Sequence, residues 1–335
     1  MKRTIIFALA AASLLCSCAR VPSSGLNDAS KRYFDAWLLK YHPDLVDKKQ
    51  SPGYYVLSEK AGTGDLVSIT SLTPYVRANY RILTLDGTIS ASTYESDAYQ
   101  LRTHSDVGYY GPQVITRGEY AAYAGLDAAI EDMREGGTRE LIIPGWLMTT
   151  DRYDTEQEYL DNASGTDVIY TINIVECISD IEQWERDSVL AYTSVKYPSC
   201  TSDTTGFYMA TLKEGDVAFE NDTTFYINYI GRRLDGKVFD TNIADTAKFY
   251  GIWSSSTTYG PTLINWTDDY SEITMTSDET SVISGFSLML SKMKGYEKAV
   301  GVFTSEYGYS YSGTGSYIPA YCPLEFEIEI VDEED

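Results

Sequence analysis

Short phrases of this sequence recur in the same order in its two halves, and such a repeat constrains the fold more than any other feature. Partner phrases are about 150 residues apart, which leaves room for one domain in each copy. The phrases pair residues 53–56 with 206–209, 60–65 with 213–216, 79–80 with 228–229, 85–87 with 234–236, and 170–176 with 326–332. Gly125 and Met133 pair with Gly285 and Met293. The chain is therefore predicted to contain two copies of one fold in tandem.

The residue patterns inside each copy predict an α+β fold. Apolar residues alternate with polar ones in segments 225–229 and 324–330, a pattern typical of half-buried antiparallel strands. Residues 123–133 and 284–293 are each predicted to form a short helix that covers the sheet of its copy. Residues 151–167 are acidic and are predicted to form a surface insertion.

An amphipathic helix is predicted before each copy. Its apolar stripe in the first copy contains Tyr33, Phe34, Trp37, Leu38 and Tyr41, before Pro43. The second helix is predicted to begin after an N-cap at Asp180. Its stripe contains Ile181, Trp184 and Leu190. Both stripes are expected to pack on their own domains.

The first residues indicate secretion. Lys2 and Arg3 precede an apolar run over 5–15 that is too short to span a bilayer as a mature helix. The run ends in Leu15-Cys16-Ser17-Cys18, which resembles a bacterial lipobox. Residues 1–17 are therefore predicted to be a lipoprotein signal peptide, with lipidation at Cys18. An ordinary cleaved signal that leaves a free thiol is the alternative.

This interpretation divides the chain into four parts. The signal peptide (1–17) is followed by a tether (18–27), a first domain (28–179) and a second domain (180–335). The acyl chains would be the only membrane attachment. We expect a lipid-anchored protein of a bacterial cell envelope, facing the periplasm from the outer membrane.

Composition excludes several classes of function. With 49 acidic and 26 basic residues the net charge is -23, which disfavours nucleic acid and anionic lipid surfaces as partners. The two histidines, His42 and His104, disfavour a Ser-His-Asp triad or a multi-histidine metal site. No metal and no cofactor is predicted.

Three cysteines remain if Cys16 is removed with the signal and Cys18 is acylated. At most one disulfide can form among Cys177, Cys200 and Cys322. Cys177 and Cys200 are the favoured pair, although their spacing does not establish a bond.

Several motifs of the second copy together resemble the FK506-binding-protein (FKBP) family of peptidyl-prolyl isomerases. They are Tyr229-Ile230-Gly231, Leu234-Asp235-Gly236-Lys237-Val238-Phe239-Asp240, Val282-Ile283-Ser284-Gly285-Phe286, Ile318-Pro319 and Leu324-Glu325-Phe326-Glu327-Ile328-Glu329. The resemblance covers about 206–333 and, more weakly, 50–178. It implies two tandem FKBP-like domains, each an antiparallel sheet wrapped around a short helix.

The resemblance also implies which residues form the site. The catalytic set is Tyr229, Phe239, Asp240, Ile283, Phe286, Tyr309 and Phe326. The substrate-binding set is Val282, Tyr317 and Ile318. Ile283 would contribute a backbone amide, Tyr309 a hydroxyl, and Phe286 a pocket floor where the family usually has tryptophan. A long insertion, residues 250–281, lies beside the implied pocket.

The implied function is cis-trans isomerisation of proline-containing polypeptides in the second domain. The first domain has Ser90-Ala91 where the second has Phe239-Asp240, and Leu126 where the second has Phe286. Met148 stands near the place of Tyr309, so the first domain is predicted to be inactive. The alternative is a non-catalytic FKBP-like lipoprotein that binds polypeptide or glycan at the envelope.

Overall fold

The computed structural model describes residues 25–68, 74–275 and 280–333. The signal peptide, Cys18 and tether residues 18–24 lie outside the described residues, so their assignments stay predictions. Among the described residues, no helix is long and apolar enough to cross a membrane.

The first sheet is antiparallel and lies between residues 55 and 178. Its strands are β1 (Tyr55–Lys60), β2 (Tyr75–Thr84), β3 (Ile89–Ser92), β4 (Gln113–Thr116), β5 (Thr138–Ile143) and β6 (Val168–Ile178). They are ordered β1-β5-β6-β2-β3, with β4 also paired to β2. Burial along β6 alternates over its first seven residues, because successive side chains of a strand point to opposite faces.

The second sheet is antiparallel and lies between residues 201 and 331. Its strands are β7 (Thr201–Thr204), β8 (Phe207–Lys213), β9 (Thr223–Arg233), β10 (Val238–Thr241), β11 (Thr262–Trp266), β12 (Thr274–Met275), β13 (Thr280–Ser281), β14 (Lys298–Phe303) and β15 (Leu324–Val331). Their order is β13-β12-β11-β9-β15-β14-β8-β7, with β10 also paired to β9.

The two sheets share one topology. The path β1-β5-β6-β2 of the first sheet corresponds to β8-β14-β15-β9 of the second, and β3 and β4 correspond to β10 and β11. The predicted α+β tandem fold is thereby confirmed. The proposed boundaries at 27/28 and 179/180 stay predictions.

Seven helices lie within the described residues. They are α1 (Asp28–Tyr41), α2 (Glu95–Leu101), α3 (Ala124–Ile130), α4 (Glu156–Asn162), α5 (Ile181–Lys196), α6 (Ala244–Phe249) and α7 (Ser284–Lys292). The repeated glycines allow α3 and α7 to approach their sheets. A Cβ on Gly125 would lie 2.5 Å from Ile143 Cγ2, and one on Gly285 would lie 2.6 Å from the Phe303 ring.

The helices before each copy form as predicted, but their buried faces are narrower than the predicted stripes. In α1, Phe34 and Leu38 are buried while Tyr33 and Tyr41 are exposed. Phe34 meets the Trp146 ring of the first core at 5.4 Å. This helix therefore packs on its own domain through two residues one turn apart.

The second such helix, α5, has its predicted N-cap but a different buried face. The Asp180 carboxylate accepts a hydrogen bond from Gln183 N at 2.9 Å. The buried residues recur every fourth position and are Ile181, Glu185, Val189 and Thr193. Leu190 is half exposed, because it follows Val189 by one residue and points about 100° away around the helix axis.

The prediction of a surface insertion at 151–167 is only partly correct. Residues 156–162 form α4, which begins at a capping box between Thr155 and Glu158. Tyr159 and Leu160 are buried in the first core. The acidic composition concealed two apolar residues that suffice to pack this helix.

The favoured disulfide is not formed. Cys177, Cys200 and Cys322 are free thiols. Burial raises the pKa of Cys177 and Cys200 to about 11 and that of Cys322 to about 12. These thiols are therefore in the poorly nucleophilic protonated form at neutral pH.

Candidate functional site

Strands β9, β10 and β15 position the centre of the candidate site. Gly231 on β9 pairs with Asp240 on β10 and with Phe326 on β15. A Cβ on Gly231 would lie 2.9 Å from both the Phe239 and the Phe326 ring. Only the absence of a side chain at this position therefore lets the two rings pack over the strand.

Four aromatic rings converge around this point. The Phe326 ring centroid lies 5.2 Å from that of Phe286 and 5.7 Å from that of Phe239, both edge-to-face. Tyr229 meets Phe286 edge-to-face at 5.6 Å. These are favourable geometries for aromatic pairs. Phe286 and Phe326 are buried, whereas Tyr229 and Phe239 are half-buried, so the cluster has a closed floor and an open side.

One polar pair lies at the open side. The Tyr229 hydroxyl donates to Asp240 Oδ2 at 3.0 Å, which fixes the tyrosine ring. Asp240 is exposed at the edge of the cluster, but the surrounding protein still raises the pKa of its carboxyl group. The hydrogen bond from Tyr229 opposes that rise.

The remaining predicted residues border the cluster from two segments. Val282 and Ile283 precede α7, and the Ile283 carbonyl accepts from Phe286 N at 3.0 Å. The second segment, residues 305–323, is called the rim loop below. It contains Tyr309, Tyr317 and Ile318, and the Tyr317 ring stacks on Phe239 at 6.4 Å. Burial raises the pKa of Tyr309, and neighbouring Tyr317 and Asp240 raise it further.

The structure brings the predicted site residues together. Nine of the ten belong to one apolar cluster: Tyr229, Phe239, Val282, Ile283, Phe286, Tyr309, Tyr317, Ile318 and Phe326. Asp240 joins them through Tyr229. The roles of these residues in catalysis stay predictions. Two cavities of about 260 and 310 Å³ at the junction of the two domains are lined by other residues.

Sequence reasoning missed two residues that hold this site. Asn242 Oδ1 accepts from Tyr229 N at 2.8 Å, and Asn242 Nδ2 donates to Ile227 O at 2.7 Å. Its position just after β10, followed by a helix, was the available signal. Arg233, at the end of β9, donates to the Tyr317 carbonyl oxygen at 2.6 Å.

The first domain does not repeat the aromatic site. The strand register places Ile82 and Ala91 opposite each other, where the second domain has Gly231 and Asp240. Tyr80 and Tyr170 remain, with ring centroids 5.7 Å apart. A branched side chain thus replaces the glycine over which two rings pack in the second domain.

Comparison with known proteins identifies the family. The family model described as FKBP-type peptidyl-prolyl cis-trans isomerase matches residues 215–331. Residues 215–331 belong to that family. Membership of this FKBP domain supports a prolyl isomerase or folding-helper function and the binding of proline-containing polypeptides. A search of curated proteins finds no match.

Solved structures similar to the chain include three FKBP-type proteins. A peptidyl-prolyl cis-trans isomerase from Pseudomonas syringae is 25% identical, with 45% of this chain and 91% of that chain covered and a TM-score of 0.32. FkpA from Escherichia coli is 22% identical, with 46% and 59% covered and a TM-score of 0.32. The three FKBP domains of wheat FKBP73 are 16% identical, with 84% and 95% covered and a TM-score of 0.28.

Proposed function

We propose that the C-terminal FKBP domain catalyses cis-trans isomerisation of X-Pro bonds in polypeptides, and that the first domain is inactive in this reaction. The observation that carries the proposal is the half-open aromatic cluster of Tyr229, Phe239, Phe286 and Phe326, with Asp240 at its edge. A proline ring is apolar and fits a site of this chemistry.

The chemistry requires neither a nucleophile nor a metal. Rotation about an X-Pro bond faces a barrier of about 18–20 kcal/mol, because resonance keeps the amide planar. An apolar pocket removes water from the amide oxygen and disfavours the charge-separated planar form. A donor aimed at the twisted amide, such as the Tyr309 hydroxyl or the Ile283 backbone N–H, stabilises the transition state.

The first domain lacks the groups that this mechanism uses. Ser90 and Ala91 stand where Phe239 and Asp240 stand, and Leu126 stands where Phe286 stands. Tyr80 donates its hydroxyl to Gln113 Oε1 at 3.0 Å instead of to a carboxylate. A site without aromatic walls removes less water from a bound amide, so little acceleration is expected.

The proposal includes an anchor at Cys18 and a position at the outer membrane, facing the periplasm. It rests on the lipobox-like Leu15-Cys16-Ser17-Cys18 and on the short apolar run before it. A tether of about ten residues would then separate the acyl chains from the first helix.

The test is isomerisation of a proline tetrapeptide by the purified full chain. We expect acceleration over the uncatalysed rate. Phe239→Ala should lower kcat/KM by about tenfold or more, because the pocket loses an aromatic wall. Tyr309→Phe should lower kcat by about tenfold or more, because one transition-state donor is lost.

The matched control is Tyr307→Phe, since Tyr307 lies two residues from Tyr309 and donates instead to Thr205 O at 3.0 Å. Wild-type protein that binds the peptide without accelerating the reaction would refute the isomerase in favour of a binding protein. Activity that survives in the double variant Phe239→Ala/Tyr309→Phe would refute the inactive first domain.

A further inference from the structure

Arg233 is a buried charge at the junction of the two domains. It ends β9, and its side chain is 3% exposed. The guanidinium forms an ion pair with Asp235 at 2.8 Å and donates to Tyr317 O at 2.6 Å within its own domain. Across the junction it donates to Val107 O at 2.9 Å and to Gly108 O at 3.5 Å.

The partners of Arg233 come from both domains because a buried guanidinium needs many acceptors. Its planar fork carries five N–H donors, and a buried charge without partners is strongly destabilising. The Tyr109 ring of the first domain also lies over the guanidinium, 5.3 Å from its carbon. The position of Arg233 is thus set jointly by the first domain and by the rim loop.

The first domain also contacts the rim loop directly. Tyr109 N donates to Ser316 O at 2.9 Å, next to Tyr317. Further along the loop, the Tyr321 ring meets Tyr75 edge-to-face at 5.6 Å, and its hydroxyl lies 3.3 Å from Thr116 Oγ1. These contacts hold the segment that contributes Tyr309, Tyr317 and Ile318 to the site.

We propose that Arg233 is a positioning residue through which the first domain fixes the rim loop in the shape that completes the proline pocket. The pocket role rests on the proposed isomerase function. Arg233 holds the backbone of Tyr317, and the Tyr317 ring stacks on Phe239. The first domain therefore acts on the site by ordering one of its walls before substrate binds.

Hydrogen exchange of the full chain tests this positioning without requiring turnover. Thr314 and Ile318 exchange backbone hydrogen bonds inside the rim loop, at 2.8 and 3.2 Å. In Arg233→Ala, these two amides should exchange about five- to tenfold faster, as expected for a coupling between domains of ordinary strength. Arg233→Lys, which keeps the charge but loses the fork, should restore part of the protection.

The matched control is Lys237→Ala. Lys237 is exposed and contacts the first domain through Asp106 O at 3.2 Å, so it crosses the same junction from the same hairpin. Rim-loop exchange should stay at the wild-type rate. Tyr109→Ala covers the case in which Arg233→Ala fails to fold, and it should also speed exchange, although Tyr109 lies in the other domain.

Peptide kinetics give the second readout. Arg233→Ala and Tyr109→Ala should raise KM for the proline peptide by about fivefold while kcat changes less, because a misplaced wall weakens binding. Unchanged rim-loop exchange in both variants would overturn the proposal. Wild-type protein without isomerase activity would refute the proposed function, and peptide affinity would then replace KM in this test.

Discussion

Gly231 determines whether the aromatic site can exist. The sequence predicted the rings around it, because Tyr229, Phe239 and Phe326 stand in recognisable motifs. The roles of Asn242 and Arg233 were not predictable, since both act on backbone atoms that no local pattern places beside them. Asn242 binds the backbone of β9, and Arg233 binds carbonyl oxygens of residues 107 and 317.

Substitution of Gly231 by alanine should damage the site more than the fold. The new Cβ would lie 2.9 Å from two packed rings, and such overpacking costs about 1–3 kcal/mol. We expect a higher KM for the proline peptide, because Phe239 must move. Kinetics and urea unfolding of Gly231→Ala measure the two effects.

The control for this substitution is Gly301→Ala. Its Cβ would lie 2.9 Å from the Met289 sulfur, which belongs to an unbranched and adaptable side chain. Stability should fall while KM stays at the wild-type value. Equal KM values for Gly231→Ala and wild type would contradict the packing argument.

Helix α5 carries the one acidic residue on its buried face to the far end of its own domain. Both carboxylate oxygens of Glu185 are used: Oε2 accepts from Ser305 N at 2.8 Å, and Oε1 accepts from Ser305 Oγ at 2.6 Å. Ser305 begins the rim loop. The N-cap of α5 was predictable because Asp180 acts locally, whereas the burial of Glu185 depends on a partner 120 residues away.

The element α5 should therefore show a specific pH dependence. Burial raises the pKa of Glu185 above its ordinary value of 4.5; Glu306 and Glu182 add to the rise, and Ser305 opposes it. Because the folded-state pKa is the higher one, the folded state binds this proton more tightly. The stabilisation is present below the ordinary pKa and is lost as pH rises through the folded-state pKa.

In Glu185→Gln this contribution is absent, while the amide keeps one acceptor for Ser305. The unfolding free energy of wild type minus that of the variant should fall as pH rises from about 4 to 7. Urea unfolding across that range measures it. Glu182→Gln, an exposed position on the same helix, is the control. A difference that grows with pH would contradict the assignment.

At the scale of the whole molecule, the internal repeat made the tandem fold predictable. The additional strands β7, β12 and β13 of the second sheet were not, because their counterparts are absent from the repeated phrases. The contacts between domains were not predictable either. They join residues 105–117 to the rim loop, and neither segment has a periodic pattern.

The proposed anchor predicts a location for the whole protein. Cys18→Ala should abolish incorporation of labelled fatty acid and move the protein from the membrane pellet to the soluble fraction, because the acyl chains are its proposed attachment. The control is Cys16→Ala, two residues earlier, which should still be labelled. Fatty acid incorporation into Cys18→Ala would rule out this attachment site.

Most acceptors around Arg233 are main-chain carbonyl oxygens, and this has a consequence for how the two copies can diverge. Every residue type supplies a carbonyl, so substitutions at Val107, Gly108 or Tyr317 that preserve the backbone path leave the acceptors in place. The first copy can therefore lose its own aromatic site through successive mutations and still support the second. The joint constrains the course of the chain there and leaves most side-chain identities free to drift.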